Sequence, residues 1–300
     1  MRGRISIGTI ALLVVLVAGA GLAYGFREFL KRELTDAPGG VGGFSFVRSV
    51  PGKHATVWAV GDGDASAAAR SVTDTIGAKP FDRLLYLGDV YENGTADDFA
   101  DHYASTYGRF ARRTAPTPGN HDWHNHKSAY DPYWRKALGR TRTASWYAFS
   151  AGGWRILSLN SETAHGPGSP QARWLRTQVR RRGTCRIAFW HRARYSAGQH
   201  GDQPDMASIY KTLRGHAALA VSGHDHDMQR LRPVGGITPF VSGAGGHSHY
   251  AVDRGDTRLA FSDDTHVGAL RLRLRPGSAR YAFVAAGGRV LDSGVVRCRR

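Results

Sequence analysis

Short apolar runs recur along the chain, and stretches with helical periodicity separate most of them. The runs that best fit buried strands span residues 56–60, 84–87, 154–159, 186–190 and 217–221. Between the first two, Ala69, Val72 and Ile76 recur on one helical face, and Gly77 ends that helix. Strands that alternate with helices in this way predict one α/β domain.

Two further patterns refine this prediction. Thr95 and Asp98 form a capping-box pattern, which predicts a helix that continues through Phe110 with its aromatic residues turned inward. From His266 onward, apolar and polar residues alternate over most of 269–296. Alternation with a period of two predicts antiparallel hairpins at the C-terminal end of the domain.

Four polar side chains come directly after apolar runs, where predicted strands end: Asp62, Asp89, His191 and His224. Ligand sites in α/β sheets form beyond the carboxyl ends of strands, so these side chains should converge. Taken singly, an Asp here is often a helix cap, and a lone His is often an ordinary core or surface residue. The ordered combination, together with the segments 119–122 (GNHD) and 223–226 (GHDH), favours a metal site instead.

These residues resemble the calcineurin-like metallophosphoesterase superfamily, and more narrowly its purple acid phosphatase-like branch. The five blocks of that superfamily occur in order over residues 56–298: Asp after the first strand, Gly-Asp, Gly-Asn-His-Asp, a single His after a strand, and Gly-His-x-His. The segment 191–201 also resembles its His-x-Pro-x-aromatic-Ser segment with a later His-Gly, with Ala193 in place of Pro. The resemblance implies a β-sandwich of two mixed sheets flanked by helices (αββα).

The resemblance also implies two metal ions, with iron, zinc and manganese as the candidates. Its ligand set would be Asp62 and His226 for the first metal, Asn120, His191 and His224 for the second, and Asp89 as the bridge. Carboxylate and imidazole groups suit such borderline ions. A metal pair of this kind acidifies a bridging water to hydroxide, which would attack the phosphoryl group.

Three further residues receive catalytic roles from the same resemblance. His121 would contact a phosphoryl oxygen or protonate the leaving group, Asp122 would orient His121, and His200 is a second candidate for proton transfer. His247 and His249 follow a glycine-rich turn and are candidates for the substrate pocket.

The chain departs from the family pattern near the first metal. The superfamily has a His two residues after the first Asp, where this chain has Asp64, and purple acid phosphatases have a Tyr three residues after the bridging Asp, whereas Tyr91 lies only two residues after it. Either Asp64 or Tyr91 could complete the first metal's ligands. If the loop stays extended, the Tyr91 ring points away, so the pattern favours Asp64 and a colourless site. Asp64 could also simply cap the helix at 66–76.

The N-terminal region predicts export. Residues 5–26 contain no charge and follow Arg2 and Arg4, which favours an uncleaved membrane anchor over a cleaved signal peptide. We therefore expect an anchor or signal segment over 1–34, a flexible linker over 35–43 and a catalytic domain over 44–300. The domain would lie outside the cytoplasm, either on a single-pass anchor or secreted after cleavage.

The two cysteines, Cys185 and Cys298, support this location. A lone pair of cysteines behind an export segment predicts a disulfide, although one buried and one surface thiol is the alternative.

The charge balance is strongly basic, with 41 Lys and Arg against 24 Asp and Glu, giving a net charge of +17. Such an excess could favour phosphorylated substrates, anionic lipid or nucleic acid. The arginines are scattered over helices and the C-terminal hairpins and lack the interleaved aromatics of a single-strand groove. A solvated basic surface, without a specific nucleic-acid partner, is therefore expected.

The preferred function is hydrolysis of phosphate esters, as by an acid or alkaline phosphomonoesterase, on a phosphorylated small molecule or lipid. A phosphodiesterase or nucleotidase acting on lipids or nucleotides is the alternative within the enzyme class. A metal-stabilised binding module without activity is the alternative from another class.

Overall fold

The computed structural model describes residues 45–181 and 183–298. The predicted anchor or signal segment (1–34) and the predicted linker (35–43) lie outside the described residues. Within the described ranges, no helix combines the length and the apolar character that a membrane span requires.

The described elements are short strands and helices. In chain order the strands are β1 (Ala55–Val60), β2 (Arg83–Tyr86), β3 (Thr114–Pro116), β4 (Tyr147–Ala151), β5 (Trp154–Ser158), β6 (Cys185–Arg192), β7 (Leu219–Gly223), β8 (Met228–Leu231), β9 (Thr238–Ser242), β10 (Leu259–Asp263), β11 (Gly268–Arg275), β12 (Ser278–Ala285) and β13 (Val290–Arg297). The α-helices are α1 (Ala67–Gly77), α2 (Ala96–Asp98), α3 (Asn120–Trp123), α4 (Tyr130–Leu138), α5 (Pro170–Val179) and α6 (Ala207–Leu213).

The strands form two mixed sheets, as predicted. One has six strands in the order β13-β12-β11-β1-β2-β3, and the other has seven in the order β10-β8-β9-β7-β6-β5-β4. The neighbours β1, β2 and β3 are parallel, and so are β5, β6, β7 and β9. β11, β12 and β13 are consecutive antiparallel neighbours, which confirms the predicted C-terminal hairpins.

Two apolar cores hold the layers together. The larger core contains side chains of both sheets, such as Val57 and Leu272 from the six-stranded sheet and Ile187 from the seven-stranded one. The smaller core packs α5 and α6, through Leu175 and Ile209, on the seven-stranded sheet. The strands β1, β6 and β7 are thus buried on both faces, which explains why they read as continuous apolar runs.

The predicted long helix after Thr95 is interrupted in the structure. The capping box is present, but α2 is followed by a π-helical turn (Phe99–Tyr103) and later by a 3₁₀ helix (Tyr107–Arg113). Phe99, Tyr103 and Phe110 are all buried, as the apolar pattern predicts. The Tyr103 ring packs edge-on against Tyr86 of β2 at 4.8 Å, so tertiary packing decides the backbone here.

A disulfide joins Cys185, the first residue of β6, to Cys298, which follows β13, with a Cα–Cα distance of 5.6 Å. It matches the cysteine pairing predicted from the sequence. Because β6 and β13 belong to different sheets, the bond ties the two layers together, and it closes a loop with a sequence separation of 113 residues.

We predict that reduction of this disulfide lowers the free energy of unfolding. Closing a loop of this length restricts the unfolded chain by an amount worth about 5 kcal/mol in the loop-entropy model. Urea unfolding of oxidised protein, reduced protein and the Cys298→Ser variant should show the last two shifted together to lower midpoints. Equal midpoints in all three samples would contradict the prediction.

Candidate metal centre

Strand ends bring the predicted ligands to one edge of the sandwich. Asp62 follows β1, Asp89 follows β2, and His224 follows β7. All three have a left-handed backbone, with φ of 62°, 60° and 72°. Residues other than glycine rarely adopt this region, and the strain persists mainly where function over-determines the backbone. The coincidence of three such residues marks this edge as the functional one.

Two glycines allow the loops at this edge to approach closely. A Cβ on Gly88, whose φ is 99°, would lie 2.6 Å from the backbone nitrogen of Gly119 and 2.8 Å from Nδ1 of His191. A Cβ on Gly119 would lie only 2.0 Å from Oδ1 of Asp89. Only glycine fits either position, which accounts for the glycines in the GD and GNHD segments.

Three predicted ligands of the second metal converge on an imidazole nitrogen of the fourth, His191. Nε2 of His191 lies 3.1 Å from Oδ1 of Asn120, 3.1 Å from Nδ1 of His224 and 3.2 Å from Oδ2 of Asp89. Asp89, His191 and His224 are buried, and their ligand atoms all lie within 4.8 Å of one another. We refer to Asp89, Asn120, His191 and His224 as the second-metal group.

The chemistry of this group requires a cation. Nδ1 of His191 lies 2.9 Å from the carbonyl oxygen of Leu87 and donates to it, so Nε2 presents a lone pair unless it holds a proton or a metal ion. That lone pair faces oxygen and nitrogen atoms that are also electron-rich. Burial alone lowers the pKa of His191, but the Asp89 carboxylate outweighs it and raises the pKa to about 10. A proton or a metal ion must therefore neutralise these atoms.

The predicted ligands of the first metal also come together, and Tyr91 joins them. Its Oη lies 2.6 Å from Nε2 of His226, 3.4 Å from Oδ2 of Asp89 and 3.5 Å from Oδ1 of Asp62. Nδ1 of His226 donates to the Ser248 carbonyl at 2.7 Å. Burial lowers the pKa of His226 to about 4, so the ring is neutral and presents a lone pair at Nε2, on the side where Tyr91 lies. Asp62, Asp89, Tyr91 and His226 form the first-metal group.

Asp64 has the alternative contact that the sequence left open, as a cap before α1. Its Oδ1 accepts a hydrogen bond from the backbone nitrogen of Ser66 at 3.0 Å, in the turn before α1. The preference for Asp64 as a metal ligand assumed an extended loop after Asp89. The loop instead has a left-handed Asp89 and turns over residues 91–93, so the Tyr91 ring points toward the metal edge.

His121 and Asp122 have different surroundings from those predicted. The backbone nitrogen of His121 donates to Oδ1 of Asp89 at 2.9 Å, and its Nε2 lies 4.0 Å from Oδ2 of Asp89. Its Nδ1 contacts the carbonyl of Glu92, which orients the ring. The prediction that Asp122 orients His121 needs correction, because Asp122 accepts from the backbone nitrogens of Asp89, Val90 and Gly119 at 2.8–2.9 Å. Asp122 thereby fixes the loop that carries Asp89.

Three aromatic side chains stack on members of the two groups. The His200 ring lies 4.0 Å from His224, the His247 ring 4.0 Å from Tyr91, and the Tyr250 ring 3.9 Å from His226. His249 is more remote from the ligand atoms, since its Nδ1 contacts the His226 carbonyl at 3.2 Å.

Sequence reasoning missed two residues at this edge, Tyr250 and Arg192. Nη1 of Arg192 lies 3.4 Å from Nε2 of His224, and its Nε lies 3.0 Å from both carboxylate oxygens of Glu162. The signal for Arg192 was its position directly after His191. Tyr250 directly follows His249, a predicted pocket residue.

Comparisons with known proteins agree with this geometry. The family model for calcineurin-like phosphoesterases matches residues 55–228. "Probable purple acid phosphatase 20" from Arabidopsis thaliana is 26% identical over 220 residues, which cover 64% of this chain and 50% of that protein. The chain thus spans about half the length of this relative.

Solved structures share the fold. GAP50, described as "the anchor in the inner membrane complex of Plasmodium", superposes with a TM-score of 0.68 at 15% identity, over 83% of this chain and 90% of that one. The purple acid phosphatase PPD1 from yellow lupin (Lupinus luteus) seeds gives a TM-score of 0.64 at 16% identity, over 82% and 54%. The chain belongs to the calcineurin-like phosphoesterase family, and its similarity to purple acid phosphatases agrees with the branch that its motifs predicted.

Proposed function

We propose that this protein hydrolyses phosphate esters, monoesters before diesters, at a centre that holds two metal ions. The observation that carries the proposal is the position of Oδ2 of Asp89, which lies 3.2 Å from His191 Nε2 and 3.4 Å from Tyr91 Oη. One carboxylate thus belongs to both ligand groups. Two ions held there would acidify a water, orient the phosphoryl group and offset its charge.

The residues around the centre support a hydrolytic role. The His121 side chain is about one-third exposed, while Asp89 beside it is fully buried, so His121 can face a bound ester. Its ring can give a proton to the departing oxygen. The Arg192 guanidinium, anchored by Glu162, adds positive charge next to His224 and can bind a phosphoryl oxygen.

A binding module without activity is the competing proposal. GAP50, which shares the fold, is described as an anchor in a membrane complex. In this chain, however, both ligand groups have acceptor atoms in place, and His121 lies beside them. A metal-loaded protein that hydrolyses neither monoesters nor diesters would favour the binding module.

We also propose a location outside the cytoplasm, with residues 1–34 as a membrane anchor. The uncharged run at 5–26 and the Cys185–Cys298 disulfide support this location. Labelling of free thiols in protein from the native membrane tests it, because a cytoplasmic domain would keep both thiols reduced.

The first prediction for the centre concerns the shared carboxylate. Asp89→Asn should lower the occupancy of both metal sites and reduce hydrolysis of p-nitrophenyl phosphate to background, because one side chain serves both groups. Elemental analysis and steady-state kinetics on the same sample measure the two effects. Asp74→Asn on α1 is the matched control, since Asp74 is exposed and pairs with Arg109. Full metal content with normal turnover in Asp89→Asn would contradict the shared role.

The second prediction separates chemistry from metal binding. His121→Ala should retain both metals and lower kcat by on the order of 10²–10⁴, the usual contribution of a general acid or base. The exposed His216→Ala serves as the control. Loss of metal from His121→Ala would show instead that His121 supports the Asp89 loop.

The third prediction tests which side chain completes the first-metal group. Tyr91 lies in that group, so protein loaded with Fe(III) should absorb visible light through a bound phenolate. The band should disappear in Tyr91→Phe and persist in Asp64→Ala, whose carboxylate contacts the backbone of Ser66. A band that persists in Tyr91→Phe and disappears in Asp64→Ala would instead identify Asp64 as the ligand of the first metal.

A further inference from the structure

Four arginines share the outer face of the six-stranded sheet: Arg271, Arg273, Arg275 and Arg280. On β11, three of them alternate with leucines that are buried in the core. Across the strands, Arg273 pairs directly with Arg280 of β12, and Arg271 pairs with Trp58 of β1. We refer to these four residues as the arginine patch.

The patch lacks counter-charge. Among the residues that the structure describes, no carboxylate forms an ion pair with any of its four guanidinium groups. Nε of Arg271 is buried without a hydrogen-bond partner. Like charges directly opposite each other on neighbouring strands destabilise a sheet, as Arg273 and Arg280 do here. The sheet therefore carries a cost that an anionic ligand would remove.

The nearest carboxylates are already engaged. Asp74 forms an ion pair with Arg109 at 2.8 Å, and Asp82 accepts a hydrogen bond from the backbone nitrogen of Thr56 at 2.7 Å. Asp82 lines a cavity beside Arg275 and Arg280, and Asp74 lines another beside Arg271 and Arg273, but neither forms an ion pair with these guanidinium groups.

The patch also lies in an open part of the surface. A cavity of about 710 Å³ separates Arg271 and Arg273 from the C-terminal end of α1, and a second of about 370 Å³ lies between Arg275, Arg280 and His54. Val295, opposite Arg280, is 46% exposed, so the groove combines positive charge with apolar surface.

We propose that the arginine patch binds the surface of a membrane rich in anionic phospholipid. Arg275 lies beside the start of β1, since Leu274 pairs with Ala55, whereas the metal centre lies beyond the other end of β1. The end of the domain that carries the arginine patch would thus face the lipid, while the metal centre at the opposite end of β1 would face away from it. The uncharged run at 5–26 would hold the domain near such a surface, and this step rests on the proposed anchor. Clustered arginines near an anionic leaflet are attracted to it.

Nucleic acid offers the same phosphate chemistry but fits less well. Proteins that bind single strands present exposed aromatic rings on which bases stack. Trp58, the aromatic residue that pairs with Arg271 of the patch, is only 4% exposed, and the Arg271 guanidinium lies over its ring at 5.5 Å.

Hydrogen exchange of the full chain in vesicles tests the proposal. Vesicles of phosphatidylcholine alone are compared with vesicles that also contain phosphatidylglycerol, at low and high salt. Peptides over 271–280 and 290–297 should exchange about tenfold more slowly with the anionic lipid at low salt, and the difference should vanish at high salt because salt screens the attraction.

Charge variants identify the responsible residues. The triple variant R273Q/R275Q/R280Q should lose the protection, and R273K/R275K/R280K should keep it. R173Q/R176Q/R180Q, which removes three exposed arginines on and beside α5, should also keep it. Hydrolysis of p-nitrophenyl phosphate in detergent should be equal in all variants. If none of them hydrolyses it, the proposed phosphatase function fails, but the exchange experiment still tests lipid binding.

Three outcomes would overturn the proposal. Equal exchange in the two kinds of vesicle excludes the anionic surface. If R173Q/R176Q/R180Q loses as much protection as R273Q/R275Q/R280Q, the vesicles attract the protein through its net charge and not through the patch. Protection by an oligonucleotide, without protection by anionic vesicles, assigns the patch to nucleic acid.

Discussion

The buried carboxylate of Asp89 is the interaction on which the rest of the site depends. Its Oδ2 lies within 3.4 Å of both His191 and Tyr91, and its Oδ1 accepts from the backbone nitrogen of His121. A carboxylate that is fully buried needs positive charge nearby. The geometry gives it two groups of electron-rich atoms instead, so the arrangement is stable only when cations or protons lie between them.

The backbone around Asp89 is built to hold this unfavourable arrangement. Asp122 binds three backbone nitrogens of the loops at 88–90 and 119, and only glycine fits at Gly88 and Gly119. A left-handed backbone at a residue other than glycine costs on the order of 1 kcal/mol or more. Asp62, Asp89 and His224 each have this conformation. The two apolar cores and the inter-sheet disulfide supply the stability that offsets it.

Much of this site could be predicted from the sequence because its residues follow strands. A strand that is buried on both faces reads as an apolar run. The residue after it lies at the sheet edge regardless of the conformation of the following loop. Asp62, Asp89 and His224 could be placed in this way, whereas His191 lies within β6, near its end. Alternation with a period of two predicted the C-terminal hairpins, whereas the family resemblance implied the two mixed sheets.

Two errors at the site lie where the direction of a side chain depends on a turn. The choice between Asp64 and Tyr91 assumed an extended loop, and the role of Asp122 was inferred from its place next to His121. Neither the left-handed Asp89 nor the backbone nitrogens that Asp122 binds has a local signal in the sequence. The strands β3, β4, β8 and β10 were also not predicted, because each is a segment of three to five residues in which polar residues interrupt the apolar run.

The stacked rings connect the candidate metal centre to two surrounding loops. His247 and Tyr250 belong to one loop and lie against Tyr91 and His226, two members of the first-metal group. His200, from another loop, lies against His224 of the second-metal group. Each ring in such a stack limits how far its neighbour can rotate. A change in either loop therefore also changes the rotational freedom of a side chain in one of the two groups, so the loops and the candidate metal ligands are mechanically coupled.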